Sequence, residues 1–465
     1  MPVVDTTAGD THPQSMRAWL AELEARGELL HVRDRIALEF EVAGALAAAD
    51  GREAVLFHDV VGSALPLVGN VAPNRLAFVR SAGAEGDRDL QARIVASVER
   101  PLPPHEIAAN AQKVVERPVL LDELPVPRFF EGEAGRYITA GAIVAVDRGR
   151  GCANLSIARI MPLDGNRALV GIAPNHHLSF LLRAAHARGE QLDIAVALGN
   201  HPLLMLAACL YLGLGADEMH VAGALFGSGL EVVRTANDLL VPAHAEVILE
   251  GSLDAGERAP EGRVSEFHGL YECYGPGVVA TFGRLTRRRD ALVQTILPGY
   301  HQEHCLLGGI AIAAGLARSV RARVASLDAI AVGFGGAGRL HAVVALHAPQ
   351  PGDARKAMFA VWADVNLIKR VIVVDDDIDP WDAEEVEWAL ATRVIAERDT
   401  LIVPGVRADR SEPLESGGTV TKTGIDATRR GGDRPDWTPA RPPHAASARG
   451  REIIAAARAL RTQEP

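Results

Sequence analysis

Cysteine is scarce in this chain: Cys152, Cys209, Cys273 and Cys305 are the four among 465 residues, and none forms a Cys-x-x-Cys pair. That excludes the usual cysteine-based zinc motifs and fits a reducing cytoplasm. Long apolar runs are missing too. The longest, Leu203 to Leu214, is about a dozen residues where a bilayer span needs roughly 20, so a buried helix and no membrane are expected. Met1 to Pro13 is polar, with no apolar signal region. Positive charge is in deficit, with a net charge of −11, which argues against a nucleic-acid binder. No GxSxG, P-loop or HExxH pattern occurs, and Gly335-Gly336-Ala337-Gly338 lacks dinucleotide-loop spacing and reads as a turn. What is present is core-forming: 48% hydrophobic residues, 23% charged and 45 glycines, enough for two or three domains rich in turns.

Periodicity divides the chain. Helices are expected over Met16–Arg26, Val42–Ala49 and Asp87–Arg100, with a strand at Ala54–His58. From Pro118 the pattern turns to strands and short Gly-containing turns: Ile138–Val146, Asn154–Met161 and Ala168–Ile172. A helix over Leu178–Arg188, a strand over Ile194–Leu198 and a helix over Pro202–Gly213 follow. Beyond His304, helices and strands alternate: Leu307–Arg321, Asp328–Gly333, His341–Leu346, Asp353–Asn366, Arg370–Val374 and Ala383–Val394. This suggests an α/β domain with a buried sheet. Gly431–His444 reads as a linker. Ala446–Leu460 reads as a terminal helix, either docked on another subunit or loosely held.

Several polar clusters could carry chemistry. Glu261 and Glu266 lie five residues apart in a Gly- and Pro-flanked loop between strand-like runs Glu246–Leu249 and Val278–Phe282. Two carboxylates on one loop can take different roles if their environments separate them. In Asn154-Leu-Ser-Ile-Ala-Arg159, alternation puts Asn154, Ser156 and Ala158 on one face and Arg159 on the other unless a bulge intervenes. These residue types suit a phosphate or a metal, or Arg159 is merely exposed. His176-His177 opens a helix, as metal ligand, phosphate neighbour or surface cap. Glu231 suits a divalent ion together with Asn and His, or pairs with Arg234. Asp375 to Asp379 is better read as a charged strand exit and helix cap than as a chelator, because consecutive residues point different ways.

Taken in order, Asn154-x-Ser-Ile-Ala-Arg159, His177, Leu-Glu231-Val-Val, Glu261-Gly-x-x-x-Glu266-x-His-Gly, the Val371–Asp379 run and Thr423-Gly-Ile-Asp-Ala-Thr428 resemble the UbiD family of prenylated-flavin-dependent decarboxylases. The resemblance implies a mixed α+β and α/β fold. An N-terminal α/β segment (1–115) precedes a split β-barrel that binds prenylated FMN (116–303). A C-terminal α/β domain (304–430) and a linker with terminal helix (431–465) follow. It implies Mn²⁺ held by Asn154, His177 and Glu231, with K⁺ nearby. Ser156, Ile157, Ala158, Arg159 and His176 should line the flavin, and Lys369 (or the adjacent Arg370) should contact it. Arg159, Glu261 and Glu266 should form the catalytic network. Glu266 then donates a proton to the carbon that loses CO₂, Arg159 orients the acid, and Glu261 positions Arg159. An aromatic or heteroaromatic carboxylic acid is the expected substrate, in either direction of reaction, and an α,β-unsaturated acid is the next class. A flavin prenyltransferase should supply the cofactor, and a homodimer or homohexamer is expected. Two other readings are an Mn²⁺-dependent hydrolase without flavin and a non-catalytic flavin-binding subunit. Where many relatives carry Gly-Pro-Phe-Gly, this chain has Gly262-Arg-Val-Ser265, which sets Arg263 beside the site or on the surface. His304 falls where relatives line the substrate pocket, or is a helix-entry residue.

Overall fold

The structure, a computed structural model, describes residues 12–461 apart from 109, 110, 117, 118, 150, 430–439 and 441. The expected linker over 431–444 therefore lies largely outside the described residues. The chain forms two units, Met1–Ala427 and Thr428–Pro465, the second carrying the helix His444–Arg461. No helix among the described residues is long and apolar enough to cross a membrane.

The first unit is organised around an antiparallel sheet. Its order is Cys152–Ile157, Ala142–Asp147, Leu192–Leu198, Val247–Pro260, Pro276–Arg287, Arg167–Val170 and Ile160–Asp164, with Val114–Glu116 added beside Pro276–Arg287. The two end strands are consecutive in the chain. Only Ala158 and Arg159 separate them, and they do not pair with each other. A sheet whose edges are two residues apart must curl until they nearly meet, which makes an incomplete barrel with its slit at Arg159. The expected single strand over Asn154–Met161 is thus two strands, because each half pairs with a different neighbour: Asn154 opposite Ala145, and Ile160 opposite Val170.

Both faces of the barrel wall are buried. Ile143, Val196, Leu249 and Phe282 belong to one core, and Val144, Leu155, Ala195 and Ile248 to another that joins the N-terminal helices. The valine, leucine, isoleucine and phenylalanine side chains among them each stabilise the fold by about 1.5–3 kcal/mol when fully buried. Met16–Ala25 is one of those helices. Ser15 Oγ accepts from Ala18 N at 3.1 Å at its start, and Trp19, Leu20 and Leu23 bury its apolar stripe. The expected helix over Pro202–Gly213 stops at Ala207. The chain turns there so that Leu210 enters the core while Tyr211 is exposed, so packing overrides the apolar run.

The C-terminal sheet runs Leu327–Ala331, His341–Leu346, Arg370–Asp375, Thr419–Asp426, Thr400–Arg407, with parallel pairing in the middle. Val371 and Val373 face one core and Ile372 and Val374 the other, so the central strand reads as an unbroken apolar run. Its last two strands, and the helices Arg75–Ser81 and Glu218–Leu225, were not expected from periodicity.

Candidate active site

The slit in the barrel decides where Arg159 points. Off the ladder, its side chain is released from strand alternation and meets Glu261, the first residue beyond Val247–Pro260 and 2% exposed. Arg159 Nε and Nη2 donate to the two Glu261 oxygens at 2.5 and 2.9 Å, a bidentate fork. Its Nη1 is left 3.6 Å from Glu266 Oε1. Burial works to lower the Arg159 pKa, but the hydrogen bonds and charge of Glu261 outweigh it and raise it, so the guanidinium stays charged. Gly171 makes room: a Cβ there would lie 2.8 Å from Arg159 Nε. Gly262, between the two carboxylates, has φ +76°, a left-handed conformation that other residues adopt with strain.

The loop is held on all sides. Val264–Ser265 pairs with Tyr271–Glu272, and Glu266 N donates to Leu270 O at 3.0 Å. Buried Glu133 accepts from Ser265 Oγ at 2.6 Å and from the backbone N of Phe129 and Phe130 at 3.3 and 3.2 Å. Arg263 is exposed and lies over the Tyr271 ring at 4.6 Å, so of its two readings the surface one holds. Tyr274 lies against two guanidinium groups, Arg159 at 5.2 Å and Arg410 at 4.1 Å, and its hydroxyl donates to Ser411 Oγ at 3.0 Å. Burial first, then the Glu266 charge, raise the Tyr274 pKa, which keeps the phenol protonated.

A second polar set lies on the Cys152–Ile157 strand. Asn154 and Ser156 are 3% and 2% exposed and share one face. Asn154 Nδ2 donates to both oxygens of Glu218 at 3.3 Å, and Leu155 N donates to Glu218 Oε2 at 2.9 Å. His177 Nδ1 stands 3.9 Å from Glu218 Oε1. Burial dominates over these hydrogen bonds and pushes the Glu218 carboxyl up to about 7. Two helices begin here, His177–Ala187 and Glu218–Leu225, so two helix N-termini start beside the cluster. The structure corrects the expectation for Glu231: the carboxylate beside Asn154 and His177 is Glu218, while Glu231 Oε2 is 2.8 Å from His244 Nε2. Glu231 is not paired with Arg234 either, which forks onto Glu106 instead. The physical reason is the Glu218–Leu225 helix, whose first residue is carried to the strand while Asp217 accepts from Met219 N at 2.8 Å at its cap. No periodic signal marked that short helix; Asp217-Glu218 ahead of an apolar stretch was the available hint.

The remaining expected residues are dispersed. His176 precedes the His177–Ala187 helix, and burial, then His177, lower its pKa, so its ring is neutral. Lys369 Nζ donates to buried Glu412 at 2.8 Å, one residue beyond Ser411. A cavity of about 380 Å³ opens beside Lys369, His341 and Thr423, and none of Arg159, Glu261 or Glu266 lines it. His304 lies in the first turn of the helix Gln302–Arg321, with Nδ1 3.1 Å from Gly299 O. Burial pushes its pKa down to about 3, so the ring is neutral and Nε2 is its free acceptor when Nδ1 carries the proton. Arg339 was missed from sequence. Its guanidinium lies 4.6 Å over the ring of Phe267, next to Glu266, and its buried Nη1 has no hydrogen-bond partner among the described residues. The Asp375–Asp379 run behaves as a strand exit and cap: Asp375 and Asp377 pair with buried Arg393, and Asp379 Oδ1 accepts from Trp381 N.

Three family models of 3-octaprenyl-4-hydroxybenzoate carboxy-lyase match consecutive stretches: the N-terminal domain over residues 20–96, the Rift-related domain over 105–301 and the C-terminal domain over 305–427. Anhydromevalonate phosphate decarboxylase from Methanothermobacter thermautotrophicus is 35% identical over 403 residues, 86% of this chain and 94% of that protein. The chain belongs to the UbiD family of carboxy-lyases. Its fold matches the UbiD-class enzyme HmfF from Pelotomaculum thermopropionicum in complex with FMN, with a TM-score of 0.88 at 35% identity over 93% of this chain and 98% of that one. An evolved dimeric form of the same enzyme in complex with prFMN matches with a TM-score of 0.84 at 34% identity, over 93% and 99% of the two chains. This UbiD-family chain is therefore a decarboxylase by kinship and a split-barrel protein by structure.

Proposed function

We propose that this UbiD-family enzyme removes CO₂ from a conjugated carboxylic acid, aromatic or heteroaromatic by first preference, with prenylated FMN as its cofactor. The observation that carries the reading is the Arg159 fork. One guanidinium is locked onto Glu261 at 2.5 and 2.9 Å and keeps its third nitrogen toward Glu266 at 3.6 Å. The cofactor supplies, when bound, the electron sink for CO₂ loss. Arg159 binds and orients the substrate carboxylate. Glu261 fixes Arg159, and Glu266 delivers a proton to the carbon left behind.

The residues fit the cofactor and its metal. Asn154 Oδ1 and Ser156 Oγ are buried without a hydrogen-bond partner among the described residues, which suits groups that await a ligand. Asn154, His177 and Glu218 are an O, N, O donor set for Mn²⁺, which would hold the cofactor phosphate with K⁺ alongside. Ile157, Ala158 and His176 would line the flavin, and Lys369 would approach it from the C-terminal sheet. The division at residues 116, 304 and 431 goes with this reading. So do supply by a flavin prenyltransferase, a homodimeric or homohexameric assembly and a cytoplasmic location. Flavin in the solved relatives speaks against a flavin-free hydrolase, and the intact Arg159–Glu261–Glu266 set against a non-catalytic subunit. Arg339 favours a substrate with a second anionic group, as in the phosphate that the name of the Methanothermobacter thermautotrophicus relative carries.

The test is co-expression with a flavin prenyltransferase, an absorbance spectrum of the purified chain, and CO₂ release over a panel of aromatic, heteroaromatic and phosphorylated α,β-unsaturated acids. Bound modified flavin with turnover on one class is expected. Absence of flavin, or flavin with no turnover on any acid, overturns the proposal.

A further inference from the structure

Glu231 opens the strand Glu231–Arg234, which pairs antiparallel with Leu240–Pro242 and parallel with His105–Glu106. His244 follows that hairpin and brings Nε2 to 2.8 Å from Glu231 Oε2. From the N-terminal segment, His12 brings its own Nε2 to 3.5 Å from Oε1. The two imidazoles stack, with centroids 4.0 Å apart and planes 8° from parallel. One donor atom from each of the three residues lies within 4.8 Å of the others. This set shares no residue with the Asn154 cluster.

We infer that His12, Glu231 and His244 form a site for a divalent transition-metal ion of the Zn²⁺ class, which staples the N-terminal segment to the Glu231 strand. Two imidazoles and one carboxylate are ligands of borderline character, the kind that zinc takes when three protein groups hold it and a fourth position stays open. Room for that fourth ligand is present. A cavity of about 10 Å³, roughly one water, adjoins Glu231 and His244 and is also lined by Gln14 and Asn200. Asn200 is 2% exposed, and its Oδ1 has no hydrogen-bond partner among the described residues, so the cavity offers an acceptor to a metal-bound water.

The ligands are already assembled by other contacts. Gln14 Nε2 donates to Gly229 O at 3.0 Å, Glu231 N donates to Gln14 Oε1 at 2.8 Å across 217 residues of chain, and Ser15 bridges to Asn200. The segment is thus held beside the strand before any ion arrives, and the ion has only to reorient the rings. Stacked rings cannot aim both in-plane lone pairs at one point, so binding splays them. His12 precedes the first helix, and its Nδ1 accepts from Gln14 N at 3.3 Å, which leaves Nε2 as its ligand atom.

The experiment uses the full chain and Zn²⁺ itself. In a Glu218→Gln variant, which disables the Asn154 cluster, zinc retained after desalting is counted by mass spectrometry. One equivalent per chain is expected, and none once His12→Ala is added. In the same Glu218→Gln background, Zn²⁺ should raise the melting temperature, and His12→Ala or His244→Gln should remove that rise while leaving circular dichroism unchanged. A Glu218→Gln chain that retains no zinc, a double variant that still retains one equivalent, or a zinc-dependent rise that survives His12→Ala overturns the inference.

Discussion

Two clusters of histidine and glutamate, around Glu218 and around Glu231, sit in different solvents. Glu218 is 2% exposed, at the start of a helix that meets His177 and the barrel-strand residue Asn154, and burial pushes its carboxyl up to about 7. Glu231 sits at a strand start with its side chain 28% exposed, between His12 at 33% and His244 at 15%. The motif around Glu231 looked like the metal-binding one, yet the carboxylate beside Asn154 comes from a short helix whose sequence gave little warning. A desolvated site makes a carboxylate hold its proton until a cation replaces it. A part-hydrated site where two segments of chain meet suits a structural ion.

The largest expected effect sits at neither cluster but at Glu266, the proposed proton donor. Glu266→Gln should lower CO₂ release by about 10²–10⁴-fold, the usual worth of a placed acid, with the flavin spectrum retained; near-normal turnover would remove Glu266 from the mechanism. Next, Glu218→Gln should cost flavin and Mn²⁺ loading at least the ~10–100-fold that even an outer-shell change costs a metal site, while Glu231→Gln leaves both at wild-type level. Equal losses in the two variants would erase the distinction between the clusters.

Glu261→Gln should reduce turnover roughly ten- to hundredfold through the charge-assisted hydrogen bonds it loses, about 1.5–3 kcal/mol. Activity should fall while flavin content does not, read as kcat against bound cofactor. pH offers a subtler test. The Glu218 proton competes with the metal, so Mn²⁺ affinity should fall as pH drops below about 7, and Glu218→Gln should flatten that slope. Without metal, the sign for stability reverses. The folded-state pKa of about 7 lies above the ordinary 4.5, so the folded chain binds the proton more tightly across that window and loses stability as pH rises through it. Melting temperature of metal-stripped protein between those limits measures this. The smallest effect is at the exposed cluster, where His12→Ala in the Glu218→Gln background should remove a zinc-dependent rise in melting temperature of a few degrees.

Much of the fold was legible because local rules govern it. The apolar stripe placed Met16–Ala25, the helix expected over Leu307–Arg321 starts a turn earlier at Gln302, the strand expected over Ile138–Val146 is Ala142–Asp147, and an unbroken apolar run marked the buried strand Arg370–Asp375. The ordered motifs carried the family, and within it the set Arg159, Glu261 and Glu266, which the structure does bring together. Tertiary structure decided the rest. The slit that frees Arg159 depends on which neighbours each half-strand finds, and strand pairing is not written in either half. Glu218 reaches Asn154 across 64 residues, and Arg159 reaches Glu261 across 102. Propensity and periodicity act over a few residues at a time. Which carboxylate loses its water, and which histidine meets it, is settled only when distant segments pack.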